Sequence, residues 1–155
     1  MRAVIFALVV FVMISLLIVN EFFVIFPSYD GNVSFQIWET DKTMSEPRIM
    51  LNIETGKKYE CSNYYLHHNI FMKENSIIVS LSKYVLPPGI CATAEGPARF
   101  TEVLDVSEGE YVLELHSYKG TNTYRVIITE ETINIINQTS TYSNPKKTVV
   151  NRTSS

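Results

Sequence analysis

The sequence predicts an all-β fold: an antiparallel β-sandwich of about seven to nine short strands behind one N-terminal transmembrane helix. Three observations carry this. From Asn32 to Ile136 the apolar residues recur with period two and never with a sustained helical period. Turn signals recur about every 8–12 residues, the spacing of a sandwich. Before them, residues 3–19 form an uncharged apolar run, and Phe22 to Phe26 resume it after Asn20 and Glu21.

The apolar run sets location. At 1.5 Å rise per residue, residues 3–19 give roughly 26 Å of helix and residues 3–26 roughly 36 Å, bracketing a hydrocarbon core of about 30 Å. Asn20 and Glu21 would then sit at one interface, with the aromatic cluster as an interfacial belt. A cleaved signal peptide is the competing reading, but the residues after Val19 are bulky where the peptidase needs small ones. Arg2 precedes the run, and Glu21 and Asp30 follow it before the first lysine at 42. The positive-inside bias therefore places the N-terminus in the cytoplasm and the rest outside. Residues 29–136 form the extracytosolic domain. Residues 137–155 have almost no apolar surface to bury and read as a disordered polar tail.

Along the domain, 33–38 alternates as a strand. Residues 48–53 form the next, ending at the turn signal Glu54-Thr55-Gly56-Lys57. Residues 58–62, 66–72 and 83–86 are weaker candidates, and 76–81 reads as a buried strand. Residues 100–106 precede a turn at Ser107-Glu108-Gly109. The clearest hairpin spans 110–129: Tyr111, Leu113 and Leu115 share one face, and Tyr124, Val126 and Ile128 share another. A turn at Lys119-Gly120 keeps the two faces together. Residues 131–136 supply a last alternating strand.

The segment Leu104 to Leu113, LDVSEGEYVL, resembles the turn before a late strand in immunoglobulin-like, fibronectin-like and transthyretin-like sandwiches. In those folds a Gly-x-Tyr corner ties a loop down through the tyrosine hydroxyl, a role the resemblance gives to Gly109 and Tyr111. It covers about ten residues and implies a fold class only. The chain departs from a true immunoglobulin domain, because Leu113 stands where a cysteine would follow Tyr111 and Trp38 precedes both cysteines.

Cys61 and Cys91 are the only cysteines. Outside the cytosol they form one disulfide, and closing a loop of about 30 residues stabilises by roughly 3.6 kcal/mol in the chain-entropy model. Their spacing lacks a metal-ligand pair. The chain carries 13 basic and 16 acidic residues; setting aside Arg2, Glu21, Lys146, Lys147 and Arg152, the domain is acidic by about six charges. That excludes nucleic acid as a default partner.

No cofactor motif appears: the glycines are scattered turn residues, with no phosphate cradle before a helix. His67 and His68 point to opposite faces of a strand, and His116 reaches them only through tertiary contact. A small hydrolase or metal-binding protein using these three is therefore the third-ranked reading. Asn32, Asn137 and Asn151 begin glycosylation sequons, about the number that chance supplies. Tyr59, Tyr64 and Tyr65, with Thr93 and Glu95 in the unpatterned loop 92–97, are the candidate binding surface.

The resulting expectation is a membrane-anchored, extracytosolic, non-catalytic binding module of the cell envelope or surface, with a protein or glycan ligand. A secreted adhesin or inhibitor-like protein, released by signal cleavage, is the alternative. Retention of the apolar run is directly measurable. The membrane fraction should yield the intact mass of the full chain, and a mature chain beginning between Asn20 and Tyr29 would contradict the anchor.

Overall fold

The computed structural model describes residues 26–40 and 46–152, and the apolar run, but for Phe26, lies outside them. Ten strands form one curled, mixed sheet, and the described residues contain no helix. They are β1 (Val33–Glu39), β2 (Ile49–Tyr59), β3 (Tyr65–Lys73), β4 (Ser76–Leu86), β5 (Gly96–Leu104), β6 (Gly109–Ser117), β7 (Gly120–Ile128), β8 (Thr132–Thr139), β9 (Ser143–Pro145) and β10 (Val149–Asn151). Their order is β10-β8-β7-β6-β4-β3-β5-β2-β1-β9.

The all-β class is as expected, but the pairing is not purely antiparallel. β4 runs parallel to β6, β1 to β9, and β3 to β5. Alternation reveals which face a residue takes, whereas strand partners depend on contacts far apart in sequence. The β3–β5 pairing is a single bridge, Tyr65 to Arg99, with the Arg99 N–H donating to the Tyr64 carbonyl at 3.1 Å. Beyond it the sheet divides into β10-β8-β7-β6-β4-β3 and β5-β2-β1-β9. Both halves bury their inner residues in one core: Phe35 of β1 meets Tyr124 of β7 edge-to-face at 4.8 Å.

The period-two reading places the inward residues well. Val33, Phe35 and Ile37 of β1, and Leu51 and Ile53 of β2, are buried. In the β6–β7 hairpin, Leu113 opposes Tyr124 and Tyr111 opposes Val126, and the two-residue loop is Tyr118-Lys119. Gly120 closes that loop with φ +126°, a conformation that side chains with a Cβ rarely adopt.

Two local expectations are corrected. Glu54 to Lys57 does not end β2; the strand continues through a bulge between Glu54 and Lys58. Thr55 makes the bulge affordable: its hydroxyl accepts from the Ala98 N–H at 3.1 Å and donates to the Lys57 carbonyl at 2.8 Å. The supposed disordered tail is ordered through Arg152. The Tyr142 carbonyl accepts from the Val33 N–H at 3.0 Å, and the Lys146 N–H donates to the Phe35 carbonyl at 2.7 Å. β10 then pairs with β8. This strap fastens both edges of the curled sheet: hydrogen bonds hold it, Tyr142 enters the core and Val150 packs against it.

Buried polar groups lock the strap. The Tyr124 hydroxyl donates to the Ser143 carbonyl at 2.6 Å, and Asn122 Oδ1 accepts from both Thr141 N–H and Thr141 O–H at 3.1 Å. The Tyr142 hydroxyl donates to the Leu115 carbonyl. At the far end, Arg152 Nη2 and Nε donate to Glu39 Oε1 at 2.7 and 3.1 Å, Nη1 reaches Glu108 at 3.2 Å, and the Glu39 side chain is 2 % exposed.

Cys61 and Cys91 are bonded, with Cα atoms 5.3 Å apart, and join the β2–β3 turn to the β4–β5 loop. Beside them a Cβ on Gly96 would approach the Ser62 backbone to 2.9 Å, so only glycine lets β5 begin there.

Two outcomes follow for stability, both measured by urea unfolding. Arg152→Ala removes an ion pair and two charged hydrogen bonds from a buried carboxylate and should cost about 3–5 kcal/mol. Replacing both cysteines by serine should cost about 2–5 kcal/mol. A change below about 1 kcal/mol in either case would contradict the assigned role.

Candidate functional site

The strand directions give the domain two ends. Residues 26–32, the β2–β3 turn, the β4–β5 loop and the Tyr118-Lys119 turn lie at one end, called proximal because the apolar run precedes Phe26. Residues 39–40, 46–49, 73–76, 104–110, 128–132 and Arg152 mark the distal end. Seven residues of β1 at about 3.3 Å each separate the two by roughly 20 Å.

A cavity of about 400 Å³ opens at the distal end. Glu39 and Arg152 form its floor, the start of β2 with Glu46 and Arg48 one wall, and Asp105 and Val106 the other. The wall positions are fixed from the backbone. Thr40 and Arg48 exchange hydrogen bonds, N–H of each to the carbonyl or hydroxyl of the other, at 2.9 Å. On the opposite side the Tyr111 hydroxyl bonds the Ser107 N–H and carbonyl, both at 3.2 Å. This is the corner that the Gly109-x-Tyr111 pattern implies, and it braces the loop carrying Asp105 and Val106.

Chemically the cavity offers both signs of charge. Arg152 is held charged by its hydrogen bonds to Glu39, which raise its pKa further, and it is committed to the fold. Arg48, Glu46 and Asp105 make no ion pair among the described residues and remain available to a polar ligand.

Of the residues singled out from sequence, Tyr59 and Tyr64 are corrected. They are buried and stack on each other with centroids 4.7 Å apart, so they pack the proximal core instead of presenting a surface. Tyr65 is exposed, and Thr93 and Glu95 are exposed on the loop beside the disulfide. Gly96 and Pro97, at the end of that presumed loop, belong to β5. Asn32, Asn137 and Asn151 are all exposed. None of these lies in the distal cavity.

The histidines stay apart. His68 stacks on Phe100 at 3.5 Å, with Nε2 3.5 Å from Glu102 and Nδ1 3.1 Å from the Leu66 carbonyl. His116 pairs with Glu114 at 2.8 Å, and His67 is exposed. Among the described residues no three His, Cys, Asp or Glu side chains converge as a metal site.

Sequence reasoning missed Glu39 and Arg152. Glu39 holds an inward position of β1, where a carboxylate requires a buried cation, and that was the available signal. Comparison with known proteins found no matching family model, curated protein or solved structure.

At the proximal end, the Tyr29 and Tyr59 hydroxyls are buried without a hydrogen-bond partner among the described residues. Burial, then the neighbouring phenol of Tyr118, pushes the Tyr29 pKa well up; burial, then Asp30, raises Tyr59 to about 12. Both groups fold neutral, while the unfolded chain ionises them near pH 10. Stability should therefore hold below pH 10 and fall as pH rises from there through about 12, the folded value for Tyr59. Tyr59→Phe should reduce that alkaline loss, read by unfolding across the pH series, without lowering stability at neutral pH by more than about 1 kcal/mol. An unchanged alkaline slope would contradict the assignment.

Proposed function

We propose that the chain is a membrane-anchored, extracytosolic, non-catalytic binding module of the cell envelope, holding a polar protein or glycan ligand at its distal cavity. The apolar run supplies the anchor, and the two facing halves of the curled sheet serve as a sandwich-like spacer. The observation that carries the reading is the position of the cavity: it lies at the end of the strands away from Phe26, where a partner approaches from outside. Its mixed lining suits hydroxyl, amide and ammonium groups, and the Glu39–Arg152 pair keeps its floor rigid.

The test places a photo-crosslinking residue at Val103, on the cavity wall, or at Asn63, at the proximal end, of the full chain on sealed cells. Val103 should capture a discrete species several-fold more strongly than Asn63, and Arg48→Ala should abolish that capture while the melting temperature stays put. Equal capture at both positions, or protection of the domain from protease added to sealed cells, would overturn the proposal.

A further inference from the structure

The proximal end has a composition that the ligand-binding reading leaves unused. Lys57, Lys58, Lys83 and Lys119 gather there, and none forms an ion pair among the described residues. Around them stand the exposed side chains of Phe26, Tyr84 and Tyr118, and Ile90 projects from the disulfide loop with 87 % of its surface exposed. These parts are fixed to one another. Lys83 Nζ lies 6.0 Å from the Tyr84 ring and 5.7 Å from the Tyr118 ring. The Tyr118 hydroxyl donates to the Tyr29 carbonyl at 2.9 Å, Lys57 Nζ donates to the Ser28 carbonyl at 3.0 Å, and Ser28 bridges to Tyr84. Asn63 holds the Ile90 carbonyl at 2.7 Å.

The charges divide by end. Against those four lysines the proximal end sets Asp30, Glu60 and Glu95; the distal end carries Glu39, Glu46, Glu74, Asp105, Glu108, Glu110, Glu130 and Glu131 against Arg48, Lys73, Arg152 and Arg125, which pairs with Glu110. In an acidic protein this end thus carries one more lysine than carboxylates and exposes lysine, tyrosine and an aliphatic side chain. Those residue types favour the headgroup layer, where amphipathic rings sit at the boundary and ammonium groups meet lipid phosphates and carboxylates.

We infer that this proximal face lies directly against the anionic headgroups of the membrane holding the anchor, fixing the domain upright with its cavity outward. The inference rests on the anchored reading. The occupant is a lipid surface because the patch is continuous with Phe26, the last residue of the apolar run, and a bilayer is what that run brings beside it. Contact by Lys57, Lys83 and Lys119 makes the posture dependent on lipid charge, and burial of Ile90 makes the disulfide loop part of the footing.

The test uses the full chain in vesicles of phosphatidylcholine, with or without about 30 % phosphatidylserine, and a quencher on the lipid headgroup. One fluorophore is attached through Gly89→Cys, where an added side chain meets no atom within 4 Å, or through Glu130→Cys at the distal turn. With phosphatidylserine, quenching at position 89 should exceed that at 130 several-fold. It should fall at least twofold in phosphatidylcholine alone, in about 1 M salt, where screening extends to about 3 Å, or in the K57E/K83E/K119E variant. The salt arm needs no substitution in the patch, so it remains decisive if that variant fails to fold. Quenching that is equal at both positions, or indifferent to lipid charge and salt, overturns the inference while a chain that floats with the vesicles retains its anchor. A chain that does not float overturns the anchored reading and the docking with it.

Discussion

A curled sheet must do something with its two edges, and here one short segment closes both. β9 lies on β1 and β10 on β8, so residues 142–152 saturate backbone donors and acceptors that would otherwise face solvent or another chain. The segment also holds the two halves of the sheet together at the side opposite the single β3–β5 bridge. Beyond the buried Tyr142 ring and Val150, its attachment is made by hydrogen bonds. Asn122 and Tyr124 grip Ser143 from inside, and Arg152 reaches Glu39, Glu108 and the Thr129 carbonyl at the distal end. The cavity floor and the closure of the fold are therefore the same interaction.

The parts legible in the sequence are those decided by neighbours. Alternation identified β1 and the β6–β7 hairpin, where the inward residues are apolar except Glu39 and Asn122 and the loop is short. The Tyr111 corner was visible because its donor and acceptors lie four residues apart. Pairing of Cys61 with Cys91 needed no geometry, since no other partner exists. What escaped was decided at long range. The Glu54–Lys58 bulge depends on the Ala98 N–H across the sheet, and order beyond Asn137 depends on the open edges of β1 and β8. Hydropathy registers neither, because the stabilising groups are amides and hydroxyls.

The same limit applied to the site. Tyrosine clustering at Tyr59, Tyr64 and Tyr65 suggested a surface, yet stacking turned the first two inward, leaving Tyr65 exposed. The distal cavity is assembled from Glu39, residues 46–49 and 103–106, and Arg152, which share no sequence motif. The end-to-end separation of charge likewise emerged only when strand directions were known. The lysines with exposed aromatic rings and most of the distal carboxylates thus stand at opposite ends of one strand body.

Closure by the C-terminal segment is the claim on which the core, the cavity and the polarity of the domain all depend. Hydrogen exchange of the intact protein, resolved by residue, tests it most directly. The amides of Val33, Ile135, Lys146 and Arg152 donate across the strap and its edges, and the account predicts that they exchange as slowly as those of the central β6–β7 hairpin. Exchange of residues 140–152 at the rate of an unstructured chain, with the hairpin still protected, would contradict it.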